Sequence, residues 1–144
     1  MTHHAEQTRE LVLHTDGASR GNPGPAGAGV VITNDAGEVL VERAVYLGQV
    51  TNNVAEYKAL LMGLDEAQAF SPCRLTVKMD SELIVRQLNG RYRVRSPDLI
   101  PLHRQAQESI RRLGRVEVMH VRRAYNRDAD RLANQAIDEH AGGG

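Results

Sequence analysis

Four acidic residues stand where they could do chemistry: Asp16, Glu56, Asp80 and Asp130. Asp16 ends an apolar run, Leu11-Val12-Leu13-His14-Thr15, and leads into a glycine-rich stretch with glycines at 17, 21, 24, 27 and 29. Glycine admits backbone shapes closed to other residues and lets a ligand come close. Asp80 ends a second run, Cys73-Arg74-Leu75-Thr76-Val77-Lys78-Met79. Both acids are in phase with polar positions (His14; Thr76 and Lys78), whereas Leu11, Leu13, Leu75 and Val77 point the other way. Each is therefore expected at a strand end, held by a sheet but facing solvent. Two such carboxylates side by side raise each other's pKa unless a cation lies between them. Magnesium takes oxygen ligands and keeps several waters, so a site with a few carboxylates suits it.

Glu56 and Asp130 fall at the starts of helices. Positions 56, 60, 63 and 67 are Glu, Leu, Gly and Ala, and 130, 133 and 137 are Asp, Ala and Ile. Each acid thus begins a stripe that otherwise packs on a core, a costly place for a lone charge. Every acid also has a structural alternative. Asn53-x-x-Glu56 resembles a capping box, Asp80 or Ser81 can cap a short helix, and Asp130 suits a helix dipole. Two acids at parallel strand ends and two at helix starts form a joint pattern that capping does not explain.

The elements that must position these acids follow from periodicity and turn signals. Strands are expected at residues 10–17, 28–34 and 38–47, the last an exposed edge, joined by short links into an antiparallel meander. A helix at 54–70 ends at Ser71-Pro72, and a strand at 73–80 follows it, which makes a crossover and a mixed sheet. A short helix spans 81–88. Ser96 and Pro97 are expected to cap and open the next helix, which runs to about 112. A fifth strand at 115–121, a loop at 122–127 and a helix at 128–140 complete a βββαβααβα chain. This is an α/β domain over residues 10–140, with flexible ends at 1–9 and 141–144. Its expected sheet order is 3-2-1-4-5, with strand one beside strand four at a switch point that favours ligands.

Composition bounds the function. The chain has 144 residues, no Trp and one Phe, which argues against binding bases on many aromatic rings. No apolar run is long enough for a membrane helix, so no membrane partner is expected. The single cysteine, Cys73, cannot pair within the chain, which points to a reducing, cytoplasmic setting. A 144-residue domain is long enough to bury its own core, and a monomer is expected. Net charge is zero, but Arg86, Arg91, Arg93 and Arg95 form one basic run, and Arg122, Arg123 and Arg127 another. Such forks bind phosphates, or simply solvate a surface.

Five segments, Thr15-Asp16-Gly17-Ala18-Ser19, Gly21-Asn22-Pro23-Gly24, Thr51-Asn52-Asn53-x-x-Glu56, Met79-Asp80-Ser81 and Asn126-x-x-Ala129-Asp130, occur in an order and spacing that resemble the type 1 ribonuclease H family. The likeness covers residues 10–140 and implies a ribonuclease H-like fold. It implies endonucleolytic cleavage of the RNA strand of an RNA–DNA hybrid, leaving 5′-phosphate and 3′-hydroxyl ends, and it leaves open whether double-stranded RNA is also a partner. Asp16, Glu56, Asp80 and Asp130 would hold two Mg²⁺ or Mn²⁺ ions. Gly17, Asn22, Thr51, Asn52, Asn53 and Ser81 would contact the substrate, with Thr51 on a DNA phosphate and the glycine stretch near RNA 2′-hydroxyls.

The chain departs from the family in two places. Well-known members carry a histidine in the loop before the last helix; here that loop is Arg122-Arg123-Ala124-Tyr125-Asn126-Arg127, and Arg122, Arg123 and Asn126 are the candidate contacts in its place. The basic handle of some members is reduced to an Arg-rich turn, as in a shorter, archaeal-like branch. A hybrid-binding module without catalysis, and a resolvase- or exonuclease-like enzyme, are the rival readings. A dinucleotide or phosphate-loop enzyme is disfavoured, because Gly21 to Gly27 lacks the lysine and the following helix.

Overall fold

A computed structural model describes residues 9–143. Five strands, β1 (Glu10–Ser19), β2 (Gly24–Asn34), β3 (Val39–Val50), β4 (Arg74–Met79) and β5 (Val116–His120), form one sheet in the order β3-β2-β1-β4-β5. β1–β2 and β2–β3 pair antiparallel, while β1–β4 and β4–β5 pair parallel. The helices are α1 (Asn52–Gln68), α2 (Glu82–Leu88), α3 (Ile100–Leu113) and α4 (Arg127–Gly143), with a 3-10 turn at Arg123–Tyr125 before the last. The element order and sheet order match the expectation.

Alternation along β1 and β4 sorts their side chains onto two faces. Leu11, Leu13, Leu75 and Val77 are fully buried with Tyr57, Leu60 and Leu64 of α1. Burying such a side chain is worth about 1.5–3 kcal/mol, so this interface is the main anchor of α1 on the sheet. Gly63 makes the contact close, since a Cβ there would press into Leu13 and Thr15. On the opposite face α4 lies across β2 and β3. Gly27 and Gly29 of β2 sit directly under the Ala133 and Ala129 carbonyls, where a Cβ would collide. These two glycines admit a helix backbone rather than the ligand expected of them. The far end of α4 is held by a stack of Tyr46 and His140, ring centroids 3.7 Å apart.

Boundaries differ where tertiary contacts outweigh local signals. β1 runs to Ser19 and β2 begins at Gly24, so of the five glycines in the stretch only Gly21 lies outside a strand. Ser96 and Pro97 do not open α3. The helix starts at Ile100 with Pro101 in its first turn, because buried Leu99 draws the preceding residues into a turn against the core. α4 continues past His140 to Gly143. Of the ends expected to be flexible, residues 1–8 and 144 lie outside the described residues. No helix among the described residues is long and apolar enough to cross a membrane.

Candidate active site

The last β1–β4 register pair is His14 opposite Lys78. Continued by one pleat, that register sets Asp16 beside Asp80. β1 does not leave the core there; it runs on to Ser19, paired with β2, and Asp16 faces Gly29. The first turn of α1 covers it, so Asp16 is 5% exposed instead of open to solvent. Gly17 allows that cover. A Cβ on it would collide with the Ala55 carbonyl, and its N–H donates to the Glu56 carboxylate.

Glu56 is therefore not part of a capping box. Thr51 is the N-cap of α1, its Oγ1 accepting from the Val54 N–H at 3.3 Å. Glu56 turns inward and is 3% exposed. Ser81, not Asp80, caps α2, accepting from the Ile84 N–H at 3.4 Å. With the two capping alternatives assigned elsewhere, Asp16, Glu56 and Asp80 each offer a carboxylate oxygen within 4.8 Å of the others. Asp130 lines the same cleft from the first turn of α4, together with Gly17, Ser19, Asn52, Ser81 and Arg123. The cleft has a volume of about 290 Å³.

Such crowding shapes the protonation of the acids. Burial raises the Asp16 pKa most, and Glu56, Asp80 and Asp130 push it further up. Burial also raises Glu56, against the lowering effects of its hydrogen bond with Asp16, the Gly17 N–H and the Arg123 charge. In the metal-free protein both carboxyls are thus held toward their protonated forms. A divalent cation would favour their charged forms instead, and a donor set made only of carboxylates fits a hard ion such as Mg²⁺ or Mn²⁺.

The other candidates divide. Asn22 is exposed, and its Oδ1 accepts from the Asn52 N–H at 3.1 Å, which leaves its Nδ2 to face outward. Asn52 is exposed at the cleft and Asn53 half-buried beside it. Arg123 reaches the cleft; Arg122 is exposed but does not line it. Asn126 is a correction. It is 1% exposed and donates from Nδ2 to the Thr15 carbonyl at 3.0 Å, so it ties the loop to β1 and cannot touch a substrate.

Three residues went unnoticed in the sequence. The Ser19 hydroxyl lies against the carbonyls of Gly21, Gly24 and Val50, the last at 2.8 Å, and closes the glycine turn onto β3. Arg20 pairs with Asp138 of α4 at 2.7 Å. Asn134, one helical turn beyond Asp130, donates to the Asp130 Oδ1 at 3.3 Å. Only the i, i+4 spacing of Asp130 and Asn134 signals that contact in the sequence.

A mixed five-stranded sheet with an acidic cleft between its central strand ends and two helix starts defines an α/β domain of ribonuclease H-like architecture. The family described as Reverse transcriptase-like matches residues 14–136. Bifunctional protein Rv2228c of Mycobacterium tuberculosis is 48% identical over 130 residues, covering 90% of this chain and 36% of its own length. Ribonuclease HI of Halobacterium salinarum is 40% identical over 124 residues, covering 86% of this chain and 62% of its own. The chain therefore spans less than two thirds of either relative. Among solved structures, LC11-RNase H1 in complex with RNA/DNA hybrid superposes with a TM-score of 0.88 at 42% identity, covering 91% of this chain and 99% of that one. The chain belongs to the type 1 ribonuclease H family.

Proposed function

We propose that this chain is an endoribonuclease that cuts the RNA strand of RNA–DNA hybrids with two divalent ions, leaving 5′-phosphate and 3′-hydroxyl ends. The observation that carries the reading is the convergence of Asp16, Glu56 and Asp80 within 4.8 Å, inside a cleft that Asp130 completes. Mg²⁺ or Mn²⁺ held there would supply water activation and stabilisation of the leaving oxygen. The sheet holds Asp16 within β1, Asp80 directly follows the last residue of β4, and the Gly17 N–H orients Glu56. Arg123, exposed at the cleft mouth without an ion-pair partner among the described residues, takes a phosphate oxygen of the substrate or product. Asn22 and Asn52 present polar groups to the minor groove, where the 2′-hydroxyl distinguishes RNA from DNA. Thr51 and Asn53 flank them on the DNA side, and Ser81 stands beside Asp80.

A cleavage panel tests the reading. Hybrid, RNA duplex, DNA duplex and four-way junction are each incubated with Mn²⁺ or EDTA. Cutting of hybrid in Mn²⁺ with 5′-phosphate products is expected, and cutting of RNA duplex would widen the substrate class. Tight hybrid binding without any cutting in Mn²⁺ would show a binding module instead, and preferential junction cleavage a resolvase.

A further inference from the structure

The glycine turn and the fourth acid are joined by a short relay through an amide. Asn134 donates from Nδ2 to the Asp130 main-chain carbonyl at 3.0 Å and to its Oδ1 at 3.3 Å. The Arg20 guanidinium donates to the Asn134 Oδ1 and to its main-chain carbonyl, both at 3.4 Å, while its other nitrogen pairs with Asp138 at 2.7 Å. The bonds are long individually, but they agree on one arrangement. A guanidinium can only donate and a carboxylate can only accept. The Asn134 amide must therefore turn its oxygen to Arg20 and its nitrogen to Asp130.

We propose that Asn134 is a positioning residue for Asp130 and that, through Arg20, it couples the glycine turn facing the substrate to the metal-binding acids; this rests on the metal-dependent reading of the site. The chemistry favours an amide here. Arg20 in direct contact with Asp130 would neutralise the carboxylate and compete with a cation. An acid at 134 would repel Asp130, and an alkyl group would leave its carboxylate free to rotate. The amide fixes the carboxylate and leaves its charge available. Arg20 sits between Ser19, which closes the turn onto Val50, and Asn22, which bonds to the start of α1. A substrate that moves the turn thereby moves the partner of Asp130. Groups that orient metal-binding side chains commonly matter about 10-fold or more for metal affinity.

The test compares the wild-type protein with Asn134→Ala, Asn134→Gln and Arg20→Ala. Mn²⁺ is titrated while the Tm of each protein is followed, and kcat and KM on a hybrid are measured alongside. Asn134→Ala is expected to need about 10-fold more Mn²⁺ for the same Tm rise, with kcat falling and KM little changed. Its Tm in EDTA stays near that of the wild type. Asn134→Gln, which keeps the amide, is expected to regain part of the loss, and Arg20→Ala to shift the Mn²⁺ midpoint less, in the same direction. A lower Tm in EDTA with an unaltered Mn²⁺ midpoint would make Asn134 merely structural and overturn the proposal. An unaltered midpoint in Arg20→Ala would overturn the coupling to the turn. A wild-type protein that neither responds to Mn²⁺ nor cuts hybrid overturns the reading of the site and this role together.

Discussion

The N–H of Gly17 donates to the carboxylate of Glu56, so one hydrogen bond joins the central strand to the N-terminal part of α1, just past its first turn, at the floor of the cleft. Gly17 is needed for this because any side chain there would occupy the space of the Ala55 carbonyl. Gly17→Ala is expected to push α1 outward, lowering stability by about 3 kcal/mol, the upper range for an overpacked core. Cleavage should fall more than stability does. Urea unfolding and Mn²⁺-dependent cleavage of hybrid measure the two effects, and a variant with wild-type activity would show that this contact does not position Glu56.

Asp16 and Glu56 have raised pKa values in the folded protein, so the folded state binds more protons than the unfolded chain above about pH 4. Stability in EDTA is then present at acid pH and is lost as pH rises through the folded-state values. Asp16→Asn removes the principal contributor. At pH 8 in EDTA it is expected to gain on the order of 1 kcal/mol, the worth of about one pKa unit, while losing all cleavage. Thermal unfolding of both proteins from pH 4 to 9 checks the sign; a wild-type Tm that climbs across that range contradicts it.

Metal should reverse this penalty. Mn²⁺ at about 100 times its Kd is expected to stabilise the wild-type protein by about 2.7 kcal/mol and Asp16→Asn far less. Chelation should stop cleavage, and re-addition restore it. Calorimetry across a Mn²⁺ titration gives the measurement, and equal stabilisation of both proteins would place the ion elsewhere.

Arg123 and Asn126 stand three residues apart with opposite duties. Arg123 is exposed at the cleft, and Asn126 is buried against Thr15. Arg123→Ala is expected to slow turnover with almost no change in Tm. Asn126→Ala leaves the Thr15 carbonyl unpaired and should cost about 1–3 kcal/mol. Paired kinetic and thermal measurements separate them, and a Tm loss in Arg123→Ala would give that residue a structural duty too.

Much of this was legible along the chain. Alternation in residues 11–15 and 73–79, the Ala- and Leu-rich run after Thr51 and the turn signals between them specify the strands, the helices and their order, because these patterns are local. Spacing along the chain also marks Asp80 and Asp130 as acids at element ends and singles out Asp16 and Glu56, but it puts Asp16 at a solvent-facing strand end, whereas β1 carries it inside the sheet as far as Ser19. What local pattern could not decide was which competing use each side chain serves. Thr51 caps α1 and frees Glu56, Ser81 caps α2 and frees Asp80, and only the folded chain shows which donor finds which oxygen. Gly27 and Gly29 look like room for a ligand until α4 is laid on them, and Asn126 looks like a loop contact until it meets Thr15. The burial of Asp16, the raised pKa values of Asp16 and Glu56 and the Arg20–Asn134–Asp130 relay arise between segments far apart in the chain. Their energies depend on distance and on exclusion of water, and both exist only after the sheet and its two helices have closed around the cleft.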